Sequence, residues 1–272
     1  MSDVTAVVAC FNYGAYLPEA VASLLAQNPA PQVVVVDDGS TDPDTGRVLD
    51  ELPGEVDVLR QANAGVCAAR NAGLAATKTE YVLFLDADDR LAPGALTALL
   101  AALAAHPEAG YAYGHQRFIG GWSGEMRFPP YDPLRLLDRH LIGPTALMRT
   151  AMVRELGGYD GAFGNYEDWE LWINALAHGW PGVRVDAITH EYRRGHEGSK
   201  LSTDRRAYRT LRRQMIAKHA DLYARRGELA AQSDMGVPER LVYRYFWGPR
   251  PLPAAIEQRA HALLWGRGDQ SG

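Results

Sequence analysis

The chain has 272 residues, of which 47% are hydrophobic and 22% charged, and its net charge is −5. That length allows one large or two small domains with a substantial core, and the composition is that of an ordinary globular protein. The acidic balance argues against a general nucleic-acid binder, and the longest largely apolar run, 95–105, falls short of the roughly 20 residues that cross a bilayer.

The chain opens on "VTAVVAC" (4–10), an apolar run without a basic leader or cleavage site, and so reads as a first strand rather than a signal peptide. Leu17, Val21, Leu24 and Leu25 then recur at helical spacing, with Pro18 placed for a first turn. "VVVV" (33–36) and "VDVL" (56–59) read as buried strands, "GVCAARNAGLAATK" (65–78) as a small-residue helix, and "YVLFL" (81–85) as a fourth strand. Pro93 opens a helix that stops before Pro107. Cys10 and Cys67 fall inside these elements, which suggests reduced thiols and a cytoplasmic protein.

The second half is less regular. Residues 115–133, rich in Gly, Pro and aromatics, read as a loop or hairpin. A short helix runs from about Thr150 to Gly157-Gly158, another from about Asp168 to His178-Gly179, and "VRVDAI" (183–188) is a late strand. From Thr203 onward the chain reads as helical and basic. Residues 203–226 carry eight Lys/Arg against two Asp, which by default is a solvated face.

Strand–helix alternation predicts an α/β fold with an open sheet, in which ligands bind beyond the carboxyl ends of the strands. Asp37, Asp38, Asp86 and Asp88 all sit at such ends, so two acidic clusters far apart in sequence should meet at one sheet edge. Asp86, Asp88 and Asp89 crowd together after five apolar residues, and like charges so close need a positive partner. A helix N-cap cluster ahead of Pro93 is the plain alternative.

The blocks "VVACFNYGAYLPEAVASLLAQ", "VVVVDDGSTD", "NAGVCAARNAG" and "YVLFLDADD" follow one another in the chain, and "GGYD", "YEDWELW" and "YRRGHEGSKLS" come later. In that order they resemble the signature blocks of family 2 glycosyltransferases of the GT-A fold, over roughly residues 4–202. The resemblance implies a Rossmann-like, twisted, mostly parallel sheet flanked by helices. It divides the chain into a glycosyltransferase domain, 1–202, with donor (1–114) and acceptor (115–202) halves, and a helical extension, 203–272. It also implies a nucleotide-diphosphate-sugar donor and a divalent metal, Mn2+ or Mg2+, since hard cations take carboxylate oxygens and can neutralise a departing diphosphate.

By the same resemblance Asp88 ligates the metal with His196, Asp86 lies nearer the ribose, and Asp89 supports the site from behind. The resemblance assigns Asp38 a contact with the donor. Asp37 and Asp38 sit where an acceptor for the base N–H or the ribose hydroxyls belongs, Phe11 at the end of the first strand can supply an apolar face for the base, and Arg70 and Asn71 orient the donor or the sheet edge. Simple core packing for Phe11, and a structural role for Arg70 and Asn71, stay open. Of the Glu-Asp pair, Asp168 is the candidate general base and Glu167 its orienter, with Trp169 as a wall for an acceptor sugar ring. A helix that begins with acids and buries two tryptophans is the bland alternative. His190 rivals His196, and Arg193, Arg194 and Lys200 offer positive charge for the phosphates.

The processive synthases' Gln-x-x-Arg-Trp motif is absent, which points to addition of a single sugar. The acceptor is expected to be a hydroxyl of a glycan or lipid-linked molecule in bacterial polysaccharide or envelope assembly. The aromatic, arginine-bearing tail 241–268 fits peripheral contact with an anionic membrane, packing on the catalytic domain, or a homodimer contact. Two rival functions are a sugar nucleotidyltransferase, whose Gly-rich basic loop after the first strand is missing, and a non-catalytic nucleotide-sugar-binding protein.

Overall fold

The computed structural model describes residues 2–195 and 205–246, without the side chains of 205–209 and 242–246. The apolar runs that end in carboxylates form the centre of its sheet. β1 (Val4–Cys10), β2 (Gln32–Asp37), β3 (Val56–Arg60) and β4 (Tyr81–Asp86) are parallel and lie side by side in the order β3-β2-β1-β4. Register pairs Cys10 with Asp37 and Ala9 with Asp86, so both acidic strand ends reach the same edge, on either side of β1.

Side-chain alternation divides the core in two. Ala6, Val8, Val33, Val35, Leu83 and Leu85 pack with apolar residues of α1 (Leu17–Leu25) and α4 (Ala95–Ala105). Val7, Val34, Val36, Val82 and Phe84 cluster on the other face with Ala69 and Leu74 of α3 (Val66–Ala76) and with the tryptophans of α7 (Glu167–Ala177). Close approach of α3 to β1 requires Gly73, because a Cβ there would lie 2.2 Å from Val7 Cγ1.

The turn after β2 continues into α2 (Pro43–Asp50), capped by Asp42, whose carboxylate accepts from the amides of Asp44 and Thr45. Beyond β4 the sheet becomes mixed. β5 (Arg90–Leu91), β6 (Tyr111–Gly120), β7 (Gly124–Met126), β8 (Leu147–Arg149) and β9 (Gly182–Arg194) complete the order β3-β2-β1-β4-β8-β6-β9-β5, with β7 paired to β6. Residues 115–133 are therefore largely a β6–β7 hairpin leading to a short helix, α5 (Pro133–Asp138). α6 (Thr150–Glu155) and α7 lie close to where the sequence predicts helices.

α8 (Arg205–Lys218), α9 (Ala220–Ala224), α10 (Arg226–Gln232) and α11 (Val237–Phe246) make the described residues 205–246 mostly helical, as the sequence reads there. Their basic face is not simply solvated, which corrects the default reading of that charge run. Met215, Leu222 and Leu229 join the same apolar cluster as Trp169 and Trp172. The fully buried Asp138 pairs with Arg212 and with Arg226, and the fully buried Glu170 pairs with Lys218 and His219 at 2.9 and 2.8 Å. Among the described residues no helix is long and apolar enough to cross a membrane. The tail assignment lies, from residue 247 on, outside the described residues.

Candidate active site

A cavity of about 460 Å³ opens at the carboxyl edge of β1, β2 and β4, and its size suits a small-molecule site. Phe11, Asp38, Arg70, Asp86, Asp88 and Glu167 all line it, so the structure brings together residues from five separate blocks. Tyr13, Gly65 and Tyr192 also line it and were not singled out in the sequence.

Each wall has a local cause. Asn12, in the left-handed region at φ 59°, accepts the amides of Thr41 and Asp42 through its side chain and ties the end of β1 to the turn after β2. In that turn Gly39 has φ 72°, and a Cβ would lie 2.7 Å from the amide nitrogen of Asn63. Asp38 is buried, and its carboxylate accepts from Gln61 Nε2, Ala64 N and Gly65 N at 2.7–2.9 Å. It thus holds the entry to α3 while keeping acceptor capacity for a ligand. Gly65 caps α3, whose first amides face a cavity where the helix dipole favours an anion. Phe11 is 40% exposed, which answers the core-packing alternative, since its ring is open to the cavity.

Arg70 lies at the centre of the floor, buried, with its guanidinium forked between two carboxylates. Nη2 donates to Asp86 Oδ1 at 2.7 Å and Nη1 to Glu167 Oε1 at 2.9 Å, and the group sits 5.0 Å from the centre of the Tyr159 ring. Burial works against this cation, yet Asp86, Tyr159 and Glu167 outweigh it and hold its pKa well above the ordinary value. Arg70 is the nearest protein answer to the crowded acids. Burial pushes the Glu167 carboxyl up, and Arg70 offsets only part of that rise. Glu167 Oε2 is buried with no hydrogen-bond partner among the described residues, an acceptor left for something the cavity would hold. Asn71 is structural: its amide exchanges hydrogen bonds with the backbone of Tyr159 at 2.9 and 2.8 Å.

Asp86 and Asp88 differ from Asp89. The first two line the cavity, whereas Asp89 is buried behind them and binds His190 Nε2 at 2.8 Å and the amide of Arg193 at 2.7 Å. Burial pushes the Asp89 carboxyl up, and His190 offsets part of the rise. His190 is thereby committed to supporting the acidic loop. Arg193 Nε donates to the backbone oxygen of Asp88 at 2.8 Å and its Nη2 meets Glu19 at 2.7 Å. The Arg194 guanidinium lies within 5.1–5.3 Å of the ring centres of Phe118, Trp122 and Tyr192. His196 and Lys200 lie outside the described residues. Among the described residues no group of three or more His, Cys, Asp or Glu is arranged to hold a metal by itself.

Glu167 and Asp168 start α7 and turn to different neighbours. Glu167 faces the cavity, while Asp168 Oδ2 binds His140 Nε2 at 2.8 Å and its Oδ1 accepts the amide of Trp169. Trp169 is corrected: only 1% exposed, with its indole donating to the Leu136 carbonyl at 2.7 Å, it presents no face to an acceptor sugar. The side of α7 that reads as a sugar wall is core, because both tryptophans point into it. A second cavity of about 270 Å³, lined by Pro18, Val21, Leu25 and Leu52, has Glu51 as its one ionisable wall residue and offers little chemistry.

An open, mostly parallel sheet flanked by helices, with an acid-edged cavity at its strand ends, is an α/β architecture of the GT-A type. The fold is similar to that of S. aureus TarS 1-349 in complex with UDP-GlcNAc, with TM-score 0.66, 18% identity, and coverage of 96% of this chain and 73% of that one. It is also similar to the mannosyltransferase PcManGT from Pyrobaculum calidifontis in complex with GDP-Man and Mn2+, with TM-score 0.59, 20% identity, and coverage of 96% and 80%. The chain belongs to glycosyl transferase family 2, whose family model matches residues 5–157.

Relatives include the succinoglycan biosynthesis protein ExoU of Rhizobium meliloti, 40% identical over 102 residues, which are 36% of this chain and 30% of ExoU. The O-antigen biosynthesis protein RfbC of Myxococcus xanthus is 30% identical over 256 residues, 88% of this chain and 19% of RfbC. The chain thus spans less than a third of the length of either relative.

Proposed function

We propose that this chain transfers a single sugar, with inversion, from a nucleotide-diphosphate sugar to a hydroxyl of a glycan or lipid-linked acceptor. Uridine diphosphate is the favoured leaving group, and the setting is bacterial polysaccharide or envelope glycoconjugate assembly on the cytoplasmic side. The observation that carries this reading is the convergence of Phe11, Asp38, Asp86, Asp88, Arg70 and Glu167 on one cavity at the N-terminus of α3. The relatives' names and the nucleotide sugars bound by TarS and PcManGT agree with it.

The roles follow the chemistry of each wall. The Phe11 ring takes the base, Asp38 keeps acceptor capacity for base or ribose, and Asp86 lies toward the ribose. The diphosphate belongs at the first amides of α3, where no lysine is needed to hold it. A divalent cation fits Asp88 beside Asp86, since such ions are commonly held by one or two carboxylates plus substrate phosphate oxygens. The donor's phosphate oxygens would complete that site, with His196 as a further proposed ligand. When bound, the cation would neutralise charge on the departing diphosphate.

Glu167, tied to Arg70 and with one orphaned oxygen, is suited to hold a donor-sugar hydroxyl. Asp168, one residue on and outside the cavity lining, is our base. The acceptor oxygen uses a lone pair to form the new bond to the anomeric carbon. The bond from that carbon to the diphosphate oxygen breaks, and its electron pair leaves with the nucleoside diphosphate. The acceptor's proton passes to the Asp168 carboxylate. No covalent sugar–enzyme species is required.

The test is Asp168→Asn. Donor binding should hold within a few-fold, while turnover falls by roughly 10²–10⁴, the usual contribution of a positioned base. Turnover near that of the wild type would remove Asp168 from the mechanism and make Glu167 the next carboxylate to test. Release of pyrophosphate instead of nucleoside diphosphate would identify a nucleotidyltransferase.

A further inference from the structure

The sequence gives His140 no distinction: it lies in "RLLDRHLIGPT", away from every block that resembles the family. The fold nevertheless brings it against the proposed base, with His140 Nε2 2.8 Å from Asp168 Oδ2. Two indoles of α7 peg the surrounding loop: Trp169 Nε1 donates to the Leu136 carbonyl at 2.7 Å and Trp172 Nε1 to that of Ile142 at 3.3 Å. These anchors lie on either side of His140. The imidazole also runs nearly parallel to the Trp169 ring, at 13° with centres 6.2 Å apart, and meets Tyr166 edge-on. A ring fixed from so many directions is placed, and what it is placed against is Asp168.

We propose that His140 is the positioning residue of the catalytic base, orienting the Asp168 carboxylate and compensating its charge until it takes the acceptor's proton. This rests on the transferase reading above. The titratable groups facing His140 are Asp168 and Glu167 from α7 and Tyr166 from the turn before it. Burial works against the imidazolium, but Asp168 by charge and hydrogen bond, with Glu167 and the Ile142 backbone, outweighs it and raises the His140 pKa. The imidazolium form is therefore favoured beside Asp168. Each Asp168 oxygen takes one of these hydrogen bonds and keeps a lone pair for a proton.

The test uses the full chain with Mn2+ and UDP-N-acetylglucosamine, UDP-glucose and GDP-mannose as probes, reading nucleoside diphosphate release to water across pH 5–9. His140→Gln keeps a donor but not the charge. Its acid limb should move to higher pH, because an opposite charge nearby favours the ionised carboxylate, with a rate near that of the wild type at pH 9. His140→Ala should lower the rate at every pH. Added to Asp168→Asn, either change should have no further effect, because a positioning residue has nothing left to position. A His140→Gln limb that stays put in folded enzyme, or a second loss in the Asp168→Asn background, overturns the proposal alone. Wild-type protein that turns over none of the donors would instead overturn the transferase reading, and this proposal with it. Nitrogen-15 NMR of His140 gives an independent readout: its pKa should fall in Asp168→Asn, and an unchanged value overturns the pairing.

Discussion

Arg70→Met tests how the cavity at the strand ends tolerates its acids. The substitution keeps most of the side chain's length, so cavity formation is minor and the loss is electrostatic. It strips the cation from Glu167, 8% exposed, and from Asp86, whose side chain is 31% exposed. Removing one partner of a buried pair costs about 3–5 kcal/mol. In a chain of this length that lowers Tm by roughly 6–20 °C, at 2–4 °C per kcal/mol.

The pH dependence sharpens the test. The folded Glu167 carboxyl is already raised, so its contribution to stability is full below the unfolded value of about 4.3 and is lost as pH rises through the folded value. Without Arg70 the folded value rises further and the loss extends to higher pH. Each unit of that rise adds about 1.4 kcal/mol to the deficit once pH exceeds the folded value. The gap between variant and wild type should therefore widen by roughly 1–3 kcal/mol from pH 5 to pH 7.5. Urea unfolding at the two pH values measures it. A gap below about 1 kcal/mol at both, or one that narrows with pH, would refute the claim that Arg70 compensates buried carboxylates.

Two further substitutions test how the site is supported. Asp138→Ala should cost about 3–5 kcal/mol in urea unfolding, because it leaves the buried Arg212 without its carboxylate and loosens α8 and α10 against α5. Gly73→Ala should cost about 1–3 kcal/mol by overpacking α3 on β1, and Val7→Ala in the same chain should recover part of the loss in a thermal melt.

The parallel half of the fold was legible because its strands are continuous apolar runs that stop at carboxylates, and its helices carry clear stripes. That same pattern places Asp38, Asp86 and Asp88 at strand ends on one edge from the sequence alone. β5 and β8 are too short to show a period, and α5 has a single turn and a half to reveal one. Trp169 was misread because amphipathic spacing gives the apolar side of α7 without saying whether a sugar or the core covers it. The basic charge on α8 and α10 looked solvated because its acidic partners, Asp138 and Glu170, lie in other elements and stand out in no local pattern. His140 was invisible for the same reason: its link to Asp168 is tertiary, across 28 residues. Tyr13 could have been suspected from "FNYGAY" at the end of β1, and burial with Asp88 and Asp86 nearby pushes its hydroxyl up to about 12, which leaves it a donor.

The most direct test of the account is calorimetric titration of uridine, guanosine and thymidine diphosphates into wild-type protein and Asp88→Ala, each with and without Mn2+. One nucleotide should bind the wild type with a clear gain from Mn2+. In Asp88→Ala that gain should be lost and affinity should fall by at least about tenfold, the scale of losing one carboxylate ligand from a cation site. Equal Mn2+-dependent affinity in the two proteins, or no binding of any of the three, would contradict it.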